Sequence, residues 1–459
     1  MAVLFVSICL ISSIQTLLSL LFVLALIARL KRDKSRICII VLGDIGRSPR
    51  MQYHAKSLVL EGYSVDIVGY SGSSVISFLQ GKDNVSFNYL FQWPINTPLP
   101  GFLNYLLKAA FITIQLFVVL MMKPSFPGFY LVQNPPSIPS LMVTWMISCL
   151  RGATMITDWH NYGYTILSMN IKKQGHPLVK FSKWYEGYFG YFSHMNICVT
   201  KAMQNDLEGK WNIHADVLYD KPPDHFNYVE NTTVKANLFK KLIDSGCFDD
   251  CKEHSMWQNL LNLTNPDSKE NTGIIISSTS WTEDEDFSIL LEALVAYENE
   301  KSSQTNLPKL ICIITGKGPL KDFYKRKISE LKFNHILVTT PWLESDDYPK
   351  VIGCGNLGVC LHLSSSGLDL PMKVVDMFGC CLPVCAVNFP CLSELVKHDL
   401  NGLTFTDSSE LAKQIIELLS SFKNEDGKLA EMRKNLQNGF SKNRWHDNWK
   451  KIMLPFLKK

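Results

Sequence analysis

Short apolar runs, each followed by a small polar loop, recur along the chain and restrict its possible folds more than any other feature. The first run covers residues 37–42, and a glycine-containing loop, a helical pattern and a second run at 64–69 follow it. Runs of this length without alternation are typical of strands buried on both faces of a parallel sheet. A strand, loop, helix and strand in this order predict a βαβ unit.

A second series of the same kind begins at residue 273 and determines the domain organisation. The chain has 459 residues, and one typical domain takes about 150. We predict two doubly wound, Rossmann-like α/β domains at residues 37–223 and 272–459, with the return of the last helix to the first domain as one option. Residues 224–271 are polar, show no clear periodicity and predict a linker or surface insertion. Ligands bind beyond the carboxyl ends of such strands, so a cleft between the domains is the expected site.

An uncharged segment at residues 2–28 precedes the first domain and is long enough to cross a bilayer, which takes about 20 helical residues. A cleaved signal peptide is the alternative, but its charges would come first and its apolar run would be shorter. We therefore predict a transmembrane anchor with a basic flank at residues 1–36, and the positive-inside rule places the body in the cytosol. The flanking cations are Arg29, Lys31, Arg32, Lys34 and Arg36.

A second apolar stretch lies at residues 103–122 and is interrupted by polar side chains. It is short and broken for a membrane span. A core helix and a helix lying in a membrane interface are equally consistent with it.

Charge and cysteine content exclude several classes of protein. The net charge of +4 gives no reason to expect a nucleic-acid partner. The thirteen cysteines have no zinc-site spacing and favour reduced thiols in a cytosolic body. Asp284 and Asp286 form an Asp-x-Asp pair that could hold a divalent ion, but acids at a helix start also suit the helix dipole. We favour capping and predict neither a metal site nor a cofactor.

Two segments of the second series have the side chains that a nucleotide needs. Gly316, Lys317 and Gly318 follow a strand and open a helix, where the backbone can approach an anion and Lys317 adds positive charge. An ordinary strand-to-helix turn is the alternative. Lys373 and Asp376 lie one helical turn apart, where an acid can accept ribose hydroxyls beside a cation for phosphate. A simple salt bridge is the alternative there.

The segment at residues 364–384 resembles the donor-nucleotide signature of GT-B glycosyltransferases, through Pro371, Lys373, Asp376, Gly379 and the pair Pro383-Val384. Three further motifs extend the resemblance from about residue 37 to about residue 449. They lie at residues 43–54, 158–164 and 279–287. Together the four are similar to the animal chitobiosyldiphosphodolichol β-mannosyltransferases.

The resemblance implies a GT-B fold and an inverting enzyme on the cytosolic face of the endoplasmic reticulum. Such an enzyme moves mannose from GDP-α-mannose to the GlcNAc2 pair of dolichol diphosphate, in a β1,4 linkage. The implied donor site has Asp376 on the ribose, Lys373 and the loop 316–318 on the diphosphate, and Asp369 near the mannose. Many relatives have a basic pair near the loop after the first strand of the second domain. This chain has acids there, at residues 283–286, which puts a phosphate role for that loop in doubt.

Inversion needs a base, and the loop after the strand near residue 157 offers two side chains for it. His160 is the candidate base, and Asp158 either orients it or serves instead. A helix cap for Asp158 and simple packing for His160 are the alternatives. Gly46, Arg47 and Arg50 border the first glycine loop and are candidates for the acceptor diphosphate, with solvated loop charges as the alternative.

The partner expected from the resemblance is a lipid acceptor in the membrane, together with a complex with later mannosyltransferases of the endoplasmic reticulum. Two other functions remain open. One is another GT-B transferase for lipid-linked sugars, which the pair Lys373 and Asp376 cannot distinguish. The other is a non-catalytic scaffold, which the retained Lys373, Asp376 and Asp369 disfavour.

Overall fold

The computed structural model describes residues 31–93, 101–122, 125–173, 175–268, 271–303 and 306–459. Two compact units divide the chain. The first takes the described residues up to Tyr219 together with Trp449–Lys459, and the second is Asp220–Asn448. The closing segment of the chain therefore belongs to the first unit.

The first unit is built on a seven-stranded parallel sheet in the order β3-β2-β1-β4-β5-β6-β7. Both faces of its inner strands are covered, as the apolar runs predict: the side chains from Ile37 to Val41 are at most 1% exposed. Its strands are β1 (Asp33–Asp44), β2 (Ser64–Tyr70), β3 (Val85–Tyr89), β4 (Pro127–Asn134), β5 (Thr154–Trp159), β6 (Met195–Cys198) and β7 (Asp216–Val217). Its helices are α1 (Pro49–Leu60), α2 (Gly101–Met122), α3 (Ser140–Arg151), α4 (Gly163–Ile171), α5 (Pro177–Tyr191) and α6 (Lys201–Trp211). The last helix of the chain begins just before Trp449, so most of it also belongs to this unit.

The second unit is built on a six-stranded parallel sheet in the order β10-β9-β8-β11-β12-β13. Both sheets continue outward on each side of a central strand, which is the doubly wound arrangement. The strands are β8 (Thr272–Ser278), β9 (Lys309–Thr315), β10 (Ile336–Thr339), β11 (Leu357–Cys360), β12 (Val384–Val387) and β13 (Gly402–Phe405). The helices are α7 (Thr232–Asp244), α8 (Trp257–Asn262), α9 (Phe287–Ser303), α10 (Lys321–Glu330), α11 (Tyr348–Gly353), α12 (Met372–Gly379), α13 (Ser408–Ser420), α14 (Lys428–Asn438) and the start of α15 (Trp445–Leu457).

Residues 224–271, predicted to be a linker or surface insertion, contain regular structure. Helices α7 and α8 lie in this segment, and both belong to the second unit. In α7 the side chains of Leu238, Phe239 and Leu242 are buried. Polar residues fill the rest of each turn, so the apolar stripe is narrow and the helical period is hard to see in the sequence.

The two apolar segments of the sequence have different outcomes. The apolar part of the predicted anchor lies outside the described residues, whereas residues 33–36 of its flank belong to β1. Within the described ranges, every helix is too short or too polar to cross a bilayer. Helix α2 buries Leu116 and Leu120 in the core of the first unit and leaves Ile114 and Met122 exposed. It therefore packs as a core helix along one side and carries apolar side chains in solvent along the other.

Candidate active site

Asp158, at the carboxyl end of β5, is the centre of a buried polar cluster in the first unit. Its side chain is fully buried, and its two oxygens accept four hydrogen bonds. Oδ1 accepts from Nη2 of Arg50 at 2.9 Å, and Oδ2 accepts from Nε of the same guanidinium at 2.8 Å. Oδ2 also lies 3.0 Å from Nε2 of His54 and 2.8 Å from Nε2 of His160. A carboxylate held by this many donors is fixed in position.

The charges around Asp158 determine its protonation. Burial alone would raise the pKa of Asp158, but Arg50, His160 and His54 outweigh burial and hold the pKa well below its ordinary value. Burial lowers the pKa of His54, so this imidazole is neutral at pH 7. Its Nδ1 accepts from the indole N–H of Trp449 at 2.8 Å. Since an indole can only donate, Nε2 of His54 carries the proton that bonds to Asp158.

His160 is the member of this cluster that reaches solvent, with its side chain 21% exposed. Its backbone N–H donates to the carbonyl of Asn134 at 2.8 Å, which ties the loop to the end of β4. With Nε2 turned to the ionised Asp158, a proton on Nε2 leaves the Nδ1 lone pair available. The buried acid therefore orients the imidazole of His160, and this imidazole can accept a proton at Nδ1.

The two arginines at the first glycine loop have different surroundings, since Arg47 lies before α1 and Arg50 lies in its first turn. Arg50 is buried, and besides Asp158 it donates to the carbonyl of Leu218 at 2.9 Å. Arg47 is exposed, and in the described part of the chain no ion pair to it is seen. The assignment of both to an acceptor diphosphate stays a prediction, and the burial of Arg50 favours Arg47 alone.

Gly46 is tightly enclosed in the same loop. Its N–H donates to Oδ1 of Asp44 at 3.0 Å. A Cβ at this position would overlap the backbone carbonyl of Ser73. Only glycine fits here because the neighbouring backbone occupies the place of a side chain, so packing accounts for this residue without a ligand.

Glu186 of α5 holds the loop on the other side of His160, and the sequence alone did not reveal it. Its fully buried carboxylate accepts from the N–H groups of Gly163 and Tyr164 at 2.8 and 3.2 Å, where α4 begins. The side-chain amide of Asn134 donates to it at 2.7 Å. Burial raises the pKa of Glu186 to about 7, although these three donors act against burial.

In the second unit, Lys373 points to a buried carboxylate. At the start of α12 its ammonium pairs with Oε1 of Glu285. Oε2 of Glu285 accepts from the hydroxyl of Thr279 at 2.5 Å and from the N–H of Ser280 at 2.9 Å. Glu285 thus joins the loop after β8 to α12. The acidic loop that departs from the family pattern supplies this acid, and it fixes the lysine in place.

Asp376 lies one turn further along α12, next to a buried phenol. The hydroxyl of Tyr348 donates to Oδ2 of Asp376 at 3.4 Å and lies 3.2 Å from Oγ of Ser278. Burial raises the pKa of Asp376 to about 8. A carboxyl of this kind can accept from two neighbouring hydroxyls once it is ionised.

His362, just after β11, was missed in the sequence and lies between two acids. Its Nδ1 is 3.1 Å from Oδ2 of Asp284, and its Nε2 is 3.8 Å from Oδ2 of Asp369. Burial would lower the pKa of His362, but these acids raise it to about 9. Asp286, the other acid of the Asp-x-Asp pair, accepts from the N–H of Ser288 at 2.9 Å and caps the start of α9. An imidazolium beside Asp369 therefore adds a positive charge to this region.

The loop 316–318 is shaped by the loop after β8. A Cβ on Gly316 would overlap the carbonyl of Thr279, and one on Gly318 would overlap the carbonyl of Ser280. The ammonium of Lys317 lies 3.8 Å from the ring centroid of Trp342. Backbone packing accounts for both glycines, and the role of this loop at a diphosphate stays a prediction.

Known proteins are similar to this chain over nearly its whole length. Residues 263–439 match the family model described as glycosyl transferases group 1. Human chitobiosyldiphosphodolichol beta-mannosyltransferase is 45% identical over 443 residues, and the match covers 93% of each chain. UDP-glycosyltransferase TURAN of Arabidopsis thaliana is 39% identical, over 92% of this chain and 97% of its own. The crystal structure of Anabaena HepE with UDP and glucose superposes with a TM-score of 0.62 at 16% identity, over 92% of this chain and 99% of that one, which shows the fold alone.

Proposed function

Because this chain belongs to the chitobiosyldiphosphodolichol β-mannosyltransferases and has the GT-B fold of two parallel-sheet, Rossmann-like domains, we propose that it transfers mannose to the dolichol-diphosphate-linked GlcNAc2 acceptor. The donor is GDP-α-mannose, and the product has a β1,4 bond. An α-donor and a β-product require inversion in a single in-line displacement. The observation that carries the proposal is the oriented imidazole of His160 on the buried Asp158.

In the proposed step, the O4 hydroxyl of the acceptor GlcNAc attacks C1 of mannose while Nδ1 of His160 takes its proton. The bond between C1 and the phosphate oxygen breaks, and GDP leaves with the electron pair. Asp158 stays ionised and stabilises the imidazolium that forms, as a buried acid can. In this scheme Arg50 and His54 hold Asp158 in place.

The donor is held by the second unit. Asp376 accepts the ribose hydroxyls, and Asp369 lies near the mannose. Lys373 meets the diphosphate, where positive charge lowers the energy of the leaving group. We assign to the loop 316–318 a supporting contact with the diphosphate, and to Arg47 and Gly46 the diphosphate of the acceptor. The protein needs no metal ion or other cofactor in this scheme.

The acceptor places the reaction at a membrane. The relatives act, by name, on a dolichol-linked substrate, and the chain is membrane-associated in the proposed scheme. We propose a single-pass anchor in the endoplasmic reticulum with the body in the cytosol, and a complex with later mannosyltransferases. Anchoring raises the effective concentration of a lipid acceptor at the site.

A second candidate function differs in the donor. The Arabidopsis relative is named a UDP-glycosyltransferase, so a UDP-sugar is the competing donor. The two nucleotides differ in the base, and the pair Lys373 and Asp376 faces only the ribose and the phosphates in our scheme. A direct competition between donors is therefore part of the test.

The test is a transfer assay with the full chain in detergent, with phytanyl-diphosphate GlcNAc2 as acceptor and EDTA present. We expect transfer from GDP-mannose, no transfer from UDP-glucose or UDP-GlcNAc, a product cleaved by β-mannosidase, and loss of transfer in Asp376→Ala. No transfer from any donor by a folded protein would favour a scaffold. Transfer that EDTA abolishes would favour a divalent ion held by Asp284 and Asp286.

Matched histidine variants test the base. His160→Gln should lower kcat by about 10²–10⁴ and remove the acidic limb of the pH–rate profile. His54→Gln removes another imidazole from the same carboxylate, but one that is sealed from solvent, so it should lower stability and retain that limb. If both variants keep the limb, His160 is not the base.

A further inference from the structure

Helix α5 carries a row of large apolar side chains in solvent. Leu178, Phe181, Trp184, Tyr188 and Tyr191 recur at intervals of three or four residues, which places them along one side of the helix. Their exposed fractions run from 48% to 57%. Soluble proteins rarely expose so many large side chains together, and such patches usually mark an interaction site.

The rings of this row also pack on one another. The rings of Trp184 and Tyr188 are stacked with centroids 5.3 Å apart. The ring centroids of Phe181 and Trp184 are 5.8 Å apart, and that of Phe192, just after the helix, is 5.1 Å from that of Tyr188. The surface is therefore a preformed ladder of rings on a rigid helix, which we call the α5 ladder. Little side-chain freedom is left to lose on binding.

The opposite side of α5 is fixed in the core of the first unit. Val179, Tyr185 and Phe189 are buried there. Glu186 is on this side and holds the start of α4. The helix cannot turn its ladder inward without losing this packing, so the exposure is a stable property of the fold.

Exposed charge within residues 163–194, the segment that carries the α5 ladder, has a single sign. Residues 163–194 contain four lysines and one acid, and that acid is the buried Glu186. All four lysines are exposed, two of them on α5 between the rings and two just before it. The four are Lys172, Lys173, Lys180 and Lys183.

We propose that the α5 ladder lies in the headgroup region of an anionic lipid bilayer and holds the first unit against it. Trp and Tyr side chains favour this region because their rings are apolar and their tips polar. Lysines beside them are attracted to anionic lipids. A helix with one aromatic side and flanking lysines is typical of a segment that lies on a membrane without crossing it.

Charge also argues against the other occupants of this surface. Residues 1–30 contain Arg29 and no acid, so they offer nothing to neutralise the lysines. A second copy related by two-fold symmetry would bring the same four lysines together. An anionic surface is the partner that satisfies both the rings and the cations.

The experiment places a photoreactive benzoylphenylalanine at position 184 or 188 of the full chain, reconstituted in vesicles of phosphatidylcholine and phosphatidylserine. The control position is 342, because Trp342 has a similar exposure of 47% but belongs to the second unit. After irradiation, mass spectrometry identifies what is attached. We expect lipid adducts at 184 and 188 in about tenfold higher yield than at 342.

Three results would overturn the proposal: equal lipid yields at 184, 188 and 342, attachment to residues 1–30, or attachment to a second copy. A second measurement uses the charge. Changing all four lysines to glutamine should lower the lipid yield at 184 several-fold in anionic vesicles and leave it unchanged in neutral ones. An unchanged yield in anionic vesicles would refute the electrostatic part.

The surface goes beyond the proposed reaction, and neither readout needs transfer activity. A protein that fails the transfer assay can still give lipid adducts, and an active protein can fail to give them. The two proposals are therefore tested separately.

Discussion

Removing the guanidinium of Arg50 should lower the stability of the first unit strongly, because Asp158 would stay buried without its principal cation. In the variant Arg50→Met the side chain keeps much of its apolar stem and loses its charge. Among the described residues, two imidazoles would then be left as partners of Asp158. Arg50 acts here as a positioning residue and not as a ligand of diphosphate.

The structure sets the size of the effect. The side chains of Arg50 and Asp158 are 5% and 0% exposed and share two hydrogen bonds of 2.8 and 2.9 Å. Breaking a buried pair from one side costs about 3–5 kcal/mol. For a domain of roughly 200 residues this corresponds to a fall in Tm of about 6–20 °C. Replacing both members, in Arg50→Met with Asp158→Leu, should recover about half of that loss, because no unpaired charge stays buried.

Hydrogen exchange across a urea series, followed by mass spectrometry, reports both units in one sample. Peptides from β5 should exchange through global unfolding at lower urea in Arg50→Met than in the unchanged protein. Peptides from β11 belong to the second unit and serve as the internal control.

Arg47→Met is the matched variant, three residues before Arg50 and exposed. It should change stability by less than about 0.5 kcal/mol and raise the KM for the lipid acceptor. A cost below about 1 kcal/mol for Arg50→Met would refute the argument. So would a double variant with Asp158→Leu that loses as much as the two single variants together.

Three further predictions follow from the charged groups. Asp376 has a pKa of about 8 and binds ribose hydroxyls best when ionised. The KM for GDP-mannose should therefore fall up to about tenfold from pH 6 to pH 7 and level off above pH 8. The variant Asp376→Asn should make the KM nearly independent of pH in this range. Glu186 has its pKa raised from 4.5 to about 7, so the fold favours its protonated form and stability should fall as pH rises through this window. The free energy of unfolding, measured at pH 5 and pH 8, should be up to about 3 kcal/mol higher in Glu186→Gln than in the unchanged protein at pH 8. An equal difference at both pH values would contradict this. Lys373→Met should lower kcat/KM for the donor by about 10²–10³. The ammonium of Lys317 lies over Trp342, so Lys317→Met should lower kcat/KM by about tenfold or less. Equal losses would show that the two lysines share one role.

The sheets could be predicted because their strands are buried on both faces. Residues 37–41 are apolar without alternation, and few structures in a globular chain other than a buried strand have this short pattern. Helix α7 could not be predicted in the same way, since Leu238, Phe239 and Leu242 are surrounded by lysines and polar residues. The period of a helix is visible in a sequence only when its buried stripe is wide.

The candidate site was predictable as a set of positions but not as a network. Asp158 and His160 are noticeable because they follow a strand directly. Arg50, about a hundred residues earlier, was expected to meet a ligand, and only the folded chain brings it to Asp158. Glu186 and His362 gave no signal because a single acid or imidazole in a sequence does not reveal its partners. Their roles depend on contacts between distant segments, which local spacing cannot encode.

The bond between Trp449 and His54 has a consequence for how the protein is made. A ribosome completes residues 31–219 long before it reaches Trp449, and the whole second unit is translated in between. At about 5–20 residues per second this interval is roughly 10–50 s. During that time all seven strands of the first unit have been synthesised, but the indole that donates to His54 has not. This contact therefore forms only after the second unit has been synthesised, and a truncation before Trp449 would damage the part of the protein that was made first.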